Sequence, residues 1–183
     1  IDEGVDFSVI CAPEGYTYVP DDNFEQALID LGYDDVLDDF VVTDSISGVT
    51  VLDVREKEIS DLTGIEGFTA LTTLDCQGNQ LTSLDVSANT ALTSLDCYSN
   101  QLTSLNVSAN TALTILHCNN NQLTSLNVSA NTALTILHCN NNQLTSLDVS
   151  NHTALIHLQC YNNQLTSLDV STNTALSELH CQN

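Results

Sequence analysis

Positive charge is nearly absent from this chain: of its 183 residues only Arg55 and Lys57 are basic, against 24 acidic ones, for a formal net charge of -22. So acidic a polypeptide repels phosphate backbones and anionic lipid surfaces, which argues against nucleic-acid and membrane partners. Long apolar runs are missing as well. The hydrophobic stretches are short and broken by Thr, Ser, Asn and Asp, whereas a membrane-spanning helix needs about 20 apolar residues in succession. Catalytic signatures are equally scarce. There is no G-x-S-x-G elbow, no H-E-x-x-H motif and no phosphate-binding loop, and the polar residues that recur would stand in straight columns instead of converging in a pocket. The expectation is a non-catalytic protein that needs no cofactor. The chain opens at Ile1 with neither Met nor a charged-then-apolar leader, the form expected of a mature or trimmed secreted polypeptide.

What the chain has in abundance is repetition. LTTLDCQGNQLTSLDVSANTA, beginning at Leu71, returns from Leu92, Leu113 and Leu134 with few changes, a fifth copy opens at Leu155, and a sixth runs from Leu176 to Asn183. The period is 21 residues throughout. A fixed period of this length means stacked structural units, each burying its apolar face against its neighbours. Each unit reads L-x-x-L-x-C-x-x-N-x-L-x-x-L-x-V-x-x-N-x-x. In its first half Leu74 and Cys76 alternate with Thr73, Asp75 and Gln77, the period of two expected of a short strand with one buried face. In its second half Leu81, Leu84 and Val86 form a return arm that buries its own apolar side against the first. Copies of one strand stack in parallel, so the chain predicts a sheet of about seven short strands, counting a divergent opening repeat, VTVLDVREKEISDLTGIEGFTA, at 49–70.

Ahead of the repeats, Pro20 and acidic residues precede Phe24, Leu28 and Leu31 at helical spacing, with Gly32 as a stop; these predict a capping helix. Eighteen of the acidic residues precede Leu71, so the cap carries most of the charge. The expected organisation is an acidic extension and cap at 1–48 and a solenoid at 49–183, with regular repeats over 71–183 and the last one incomplete.

This nested motif resembles the IRREKO class of bacterial leucine-rich repeats, and the opening repeat resembles those of internalins. The segment from TYVPDDNFEQALIDLGYDD to ISDLTGIEGFTALTTLDC is similar to the N-terminal regions of secreted repeat proteins of Bacteroidetes and flavobacteria. The resemblance implies an α/β repeat solenoid of the leucine-rich-repeat type, mostly β and irregular coil behind a helical cap. It also implies a secreted or cell-surface location and protein-protein or adhesive contacts. The abrupt ending at His180-Cys-Gln-Asn183 points to a fragment of a larger protein, with self-association through an uncapped final rung as a further expectation.

Several columns have a structural reading. Cys76, Cys97, Cys118, Cys139, Cys160 and Cys181 recur once per rung and point inward, where thiols fill a core; side chains parallel in this way rarely reach the torsion of a disulfide. Cys11 stands alone and is expected as a free thiol. Asn79, Asn100, Asn121, Asn142 and Asn163 should bond backbone groups at one corner, and Asn89, Asn110, Asn131 and Asn173 at the other, where His152 replaces one of them. The acidic pairs Asp34-Asp35 and Asp38-Asp39 lack calcium-loop spacing and read as a solvated cap.

The variable positions carry the functional reading. On the exposed side of the strands the candidate ligand-binding residues are Tyr98, Ile115, His117, Asn119, Ile136, His138, Asn140, His157, Gln159 and Tyr161, a mixed aromatic and polar face. The competing reading is a solvated face of recently duplicated rungs. His117, His138 and His157 would stand close enough for zinc or copper, but no acidic or cysteine ligand completes the set, and no metal is expected. For the whole chain the leading expectation is a binding scaffold for an unidentified protein. A carbohydrate-binding module and a structural spacer of a larger exported protein are the alternatives. An ice-binding surface on the Thr82, Ser83 and Asp85 columns is the remotest of them.

Overall fold

The computed structural model describes residues 12–182. The predicted helix is present as α1, Asp22–Asp30. Asp21 caps it, its Oδ1 accepting from the backbone N–H groups of Asn23 and Phe24 at 3.0 Å each, which satisfies donors that a helix start leaves open. Gly32 ends it in the left-handed region at φ 78°. Phe24, Ala27 and Leu28 are buried, but Leu31 is 45% exposed; the apolar stripe stops a turn earlier than its spacing predicts, because the chain turns away at Leu31. Around the helix stand elements that spacing did not anticipate. A two-stranded antiparallel sheet joins β1 (Tyr16–Tyr18) to β2 (Phe40–Val42), and a short helix α2 spans Thr43–Ile46.

Seven parallel strands follow in one sheet, β3 (Val51–Asp53), β4 (Thr73–Asp75), β5 (Ser94–Asp96), β6 (Ile115–His117), β7 (Ile136–His138), β8 (His157–Gln159) and β9 (Glu178–His180). Sequence order is spatial order. The register aligns Leu52, Leu74, Leu95, Leu116, Leu137, Leu158 and Leu179. All but the last of these are fully buried, while Leu179 on the edge strand is 38% exposed. The return arm behaves as expected: Leu81, Leu84 and Val86 and their repeats through Val149 are buried, and isolated parallel bridges link Asp85, Asn106 and Asn127. One continuous core runs from Val19 in the cap to Cys160.

Cys76, Cys97, Cys118, Cys139 and Cys160 are buried free thiols and Cys181 is an exposed one; Cys11 lies outside the described residues. Burial in apolar surroundings pushes the five buried thiols up, Cys118 to about 12 and Cys160 to about 11, so these five stay protonated and act as small apolar groups.

The corners are held by amides. At the corner after each strand, Asn100 Oδ1 accepts from Leu81 N–H at 3.0 Å while its Nδ2 donates to the carbonyls of Cys76 and Cys97, and Asn79, Asn121, Asn142 and Asn163 make matching bonds. The residue just before each of these is left-handed: Gly78 at φ 66°, Ser99, Asn120 and Asn141 at 54°, and Asn162 at 52°. Glycine and asparagine suit that conformation and serine suits it poorly. Where the cap meets the first repeat, Gly64 has φ 106°, and a Cβ there would lie 2.7 Å from Val19 Cγ2 and 2.8 Å from the Tyr18 carbonyl, so this seam requires glycine.

Candidate functional site on the strand face

In every strand from β4 to β8 the central leucine is buried and its two neighbours are half-buried. Side chains on adjacent strands stand about 4.8 Å apart, so each position forms a row whose members shield one another. Packing dictates the leucines and leaves the rows free to differ.

Along one row the register places Asp53, Asp75, Asp96, His117, His138, Gln159 and His180 side by side. The His117 and His138 rings stack at 4.4 Å between centroids and 16° between planes, and His117 Nδ1 pairs with Asp96 Oδ1. Burial, and then the neighbouring His117, hold His138 below the ordinary imidazole value. At the other end, Arg55 clamps Asp53, with Nη2 2.6 Å from Oδ2 and Nε 2.9 Å from Oδ1, and its Nε lies 3.6 Å from Asp75 Oδ2. Burial, together with the charges of Asp96 and Asp53, keeps the Asp75 carboxyl above the ordinary carboxylate value against the opposing pull of Gln77 N–H and Arg55. Arg55, Asp75, Asp96, His117 and His138 line an open depression of about 450 Å³ with Gln77, Tyr98 and Asn119.

Of the residues singled out from the sequence, Tyr98, His117, Asn119 and His138 therefore meet in one place. Ile115 and Ile136 are register neighbours in the adjoining row, followed there by His157 and Glu178. Three expectations need correction. Asn140 stands on the strand face but is not exposed there: it is 3% exposed, with its Oδ1 buried and unpartnered. It stands in a row between Asn119 and Tyr161, and at strand spacing a neighbour as large as tyrosine screens a short amide. The three histidines do not form one cluster, because His157 belongs to the row of Ile136 and not to that of His138. Nor are they without acidic neighbours. His157 Nδ1 lies 2.7 Å from Glu178 Oε2 and His180 Nε2 lies 2.9 Å from Oε1, so Glu178 bridges two imidazoles, and those bonds, His180 first, lower its carboxyl. Among the described residues no group of three or more His, Cys, Asp or Glu is placed to hold a metal ion.

Asp75, Asp96 and Arg55 were not among the candidates. The signal was present in the row itself, which reads Asp in its first rungs and His in the next two.

The return arm offers a second depression, of about 320 Å³, between the opening repeat and the first regular rung. Its carboxylates serve their own turns: Asp61 accepts from Thr63 N–H, Glu66 from Gly64 N–H and Asp85 from Ser87 N–H. The same bond recurs from Ser108 to Asn106, Ser129 to Asn127, Ser150 to Asp148 and Ser171 to Asp169, which gives the whole Asp/Asn column a structural task.

The architecture is that of a leucine-rich-repeat solenoid, and a family model for leucine-rich repeats in two copies matches residues 69–110. Among curated proteins the chain is similar to Internalin J of Listeria monocytogenes, at 43% identity over 72 residues, covering 39% of this chain and 8% of that protein. The solved functional domain of InlJ, described as including a cysteine ladder, superposes with a TM-score of 0.75 at 38% identity over 91% of this chain and 42% of that one. The Leptospira interrogans leucine-rich-repeat protein LIC12759 superposes with a TM-score of 0.61 at 27% identity, over 65% of this chain and 33% of that one. The L. monocytogenes internalin InlF shares the fold, with a TM-score of 0.67 at 23% identity over 88% of this chain and 56% of that one. The chain thus spans less than half the length of the internalin J proteins it matches. Among the described residues no helix is long and apolar enough to cross a membrane.

Proposed function

We propose that this chain is a non-catalytic recognition module of a secreted or surface-exposed bacterial protein, binding a protein ligand across its strand face in adhesive contacts. The observation that carries this reading is the depression where Tyr98, His117, Asn119 and His138 meet Asp75, Asp96 and Arg55. Half-buried aromatic and imidazole groups flanked by hydrogen-bonding side chains are the composition of protein contact sites, and nothing in the packing requires them there. Similarity to internalins supports the reading. Ile115, Ile136, His157, Gln159 and Tyr161 extend the same face and complete the proposed contact set. The cap at 1–48 and the nested 21-residue repeats belong to this proposal as the support that holds the face in register.

The test is a binding screen against surface-protein libraries and glycan arrays, run beside a variant with Tyr98, His117, His138 and Tyr161 all changed to Ala. Protein ligands that the variant loses at an unchanged melting temperature support the reading. Glycan ligands lost in the same way turn it into carbohydrate capture, and ligands bound equally by both proteins remove the strand face from consideration.

A further inference from the structure

We propose that the depression on the strand face is a seat for one arginine side chain projecting from a basic protein ligand, received between the carboxylates of Asp75 and Asp96 and against the imidazole and phenol rings beside them. The proposal rests on the recognition reading above and names the chemistry of its partner.

Asp75 accepts from Gln77 N–H in its own turn, but the fold does not need a carboxylate at this row position. The same row carries His117, His138, Gln159 and His180 in the later rungs, with the same register and the same buried leucine, so a strand of this solenoid forms equally well without an acid at that position. Asp75 and Asp96 nevertheless stand opposite each other on adjacent strands, their side chains only 19% and 24% exposed. Two like charges placed side by side and partly removed from water oppose each other and favour a cation between them. Internal compensation is incomplete. Asp53, Asp75 and Asp96 contribute three negative charges and Arg55 one positive charge, which leaves two negative charges with the imidazoles neutral. Arg55 is itself clamped by Asp53, and Asp96 Oδ2 has no hydrogen-bond partner among the described residues. The surrounding field has the same sign, since the whole chain carries -22, and it would steer a basic partner toward the face.

The walls select the kind of cation. The stacked His117 and His138 rings present flat π-surfaces, and Tyr98 adds a ring at the rim. A guanidinium is planar, weakly hydrated, able to fork onto carboxylate oxygens and able to stack on such faces, whereas an ammonium is a compact, strongly hydrated point charge. A bare metal ion lacks the three ligands it would need here. The open volume of about 450 Å³ admits one side-chain head from a partner's surface.

The probe is acetyl-arginine amide titrated into the isotopically labelled protein and followed by NMR at the His117 and His138 ring nitrogens. Acetyl-citrulline amide serves as the uncharged isostere, and acetyl-lysine amide as the other cation. The expected result is saturable shifts of both rings with arginine, binding several-fold weaker with lysine, and no response to citrulline. The Asp75→Asn/Asp96→Asn double variant keeps the Gln77 turn bond and the melting temperature, and should bind arginine at least about tenfold more weakly. Equal responses to citrulline and arginine overturn the proposal, as does an unchanged affinity in the double variant. If arginine fails while the quadruple alanine variant still abolishes binding of a protein found in the screen, the arginine seat is wrong and the recognition reading stands.

Discussion

The two corners of each rung use the same residue type in different ways. After the strand, Asn121 engages both ends of its amide: Oδ1 accepts from Leu102 N–H, and Nδ2 donates to the Cys97 and Cys118 carbonyls. After the return arm, Asn131 engages only its Nδ2, donating to the Val107 and Asn110 carbonyls, while its Oδ1 is buried without a partner. Those two carbonyls also accept from Asn110 N–H and Leu113 N–H. One corner therefore needs a donor and an acceptor in fixed positions, and the other needs only an extra donor. That difference explains why an imidazole is found at the second corner: His152 Nε2 meets the Val128 carbonyl at 3.1 Å, leaving Nδ1 buried and unpaired.

The sharpest way to break this comparison is to truncate one amide at each corner. Asn121→Ala strands the buried Leu102 N–H, although the Cys97 and Cys118 carbonyls keep donors in Asn100 and Asn142, and is expected to cost about 2–3 kcal/mol, whereas Asn131→Ala strands no N–H, leaves both carbonyls a donor and should cost about 1 kcal/mol. Urea denaturation of the two variants measures the difference, and equal costs would abolish the distinction.

A third junction does similar work with a carboxylate. Asp21 caps α1 and also accepts from the backbone of Ser60 and Asp61 and from the Ser60 hydroxyl, joining cap to repeat. Asp21→Ala should cost about 2 kcal/mol. Burial works against this carboxylate, but the bonds from Ser60, Phe24 and Asp61 outweigh it and hold its pKa below the ordinary value. A lowered folded-state pKa means that the contribution is complete above the ordinary carboxylate range and disappears as pH falls through the lowered value. The stability gap between wild type and Asp21→Asn should therefore be open at neutral pH and close in acid, whereas the Asn121→Ala gap should not follow Asp21's titration. Denaturation midpoints across pH decide this.

Smaller effects have the opposite sign. His152→Asn restores the second bond, to the Asn131 carbonyl, that Asn173 makes to His152 itself at 2.9 Å, and should stabilise by about 1 kcal/mol. Ser99→Gly relieves a left-handed serine at φ 54° and should add about 0.5 kcal/mol. Thermal melts resolve both, and a loss at either position would show that the rung uses the native side chain in another way.

Much of this was legible from spacing alone. The 21-residue period predicts that residues one period apart are neighbours, and the register pairs Leu74 with Leu95 and His117 with His138. The inward cysteines and both asparagine columns follow from the same rule. The cap was less legible, because its contacts are not periodic: Asp21 reaches Ser60, and Glu25, fully buried on α1, accepts from Asp38 N–H and Phe40 N–H. Within the candidate site, Tyr98, His117 and His138 are legible as variable exposed positions, whereas a carboxylate on a strand face, such as Asp75 or Asp96, carries no sign in the sequence that its neighbours half-bury it. Asn140 was misjudged for a related reason, since period-two alternation says which side of a strand a residue occupies and nothing about what its neighbours cover.

The sequence by itself determined which residues share a rung position, which face of each strand is buried and that the strands run parallel in chain order, because a strict repeat leaves one way to stack identical units. The tertiary structure alone decided which neighbours in a row bond: His117 with Asp96, Glu178 between His157 and His180, Arg55 with Asp53 and not chiefly with Asp75. The repeat sets backbone spacing, while side-chain pairing depends on rotamers, burial and charge, which differ from rung to rung.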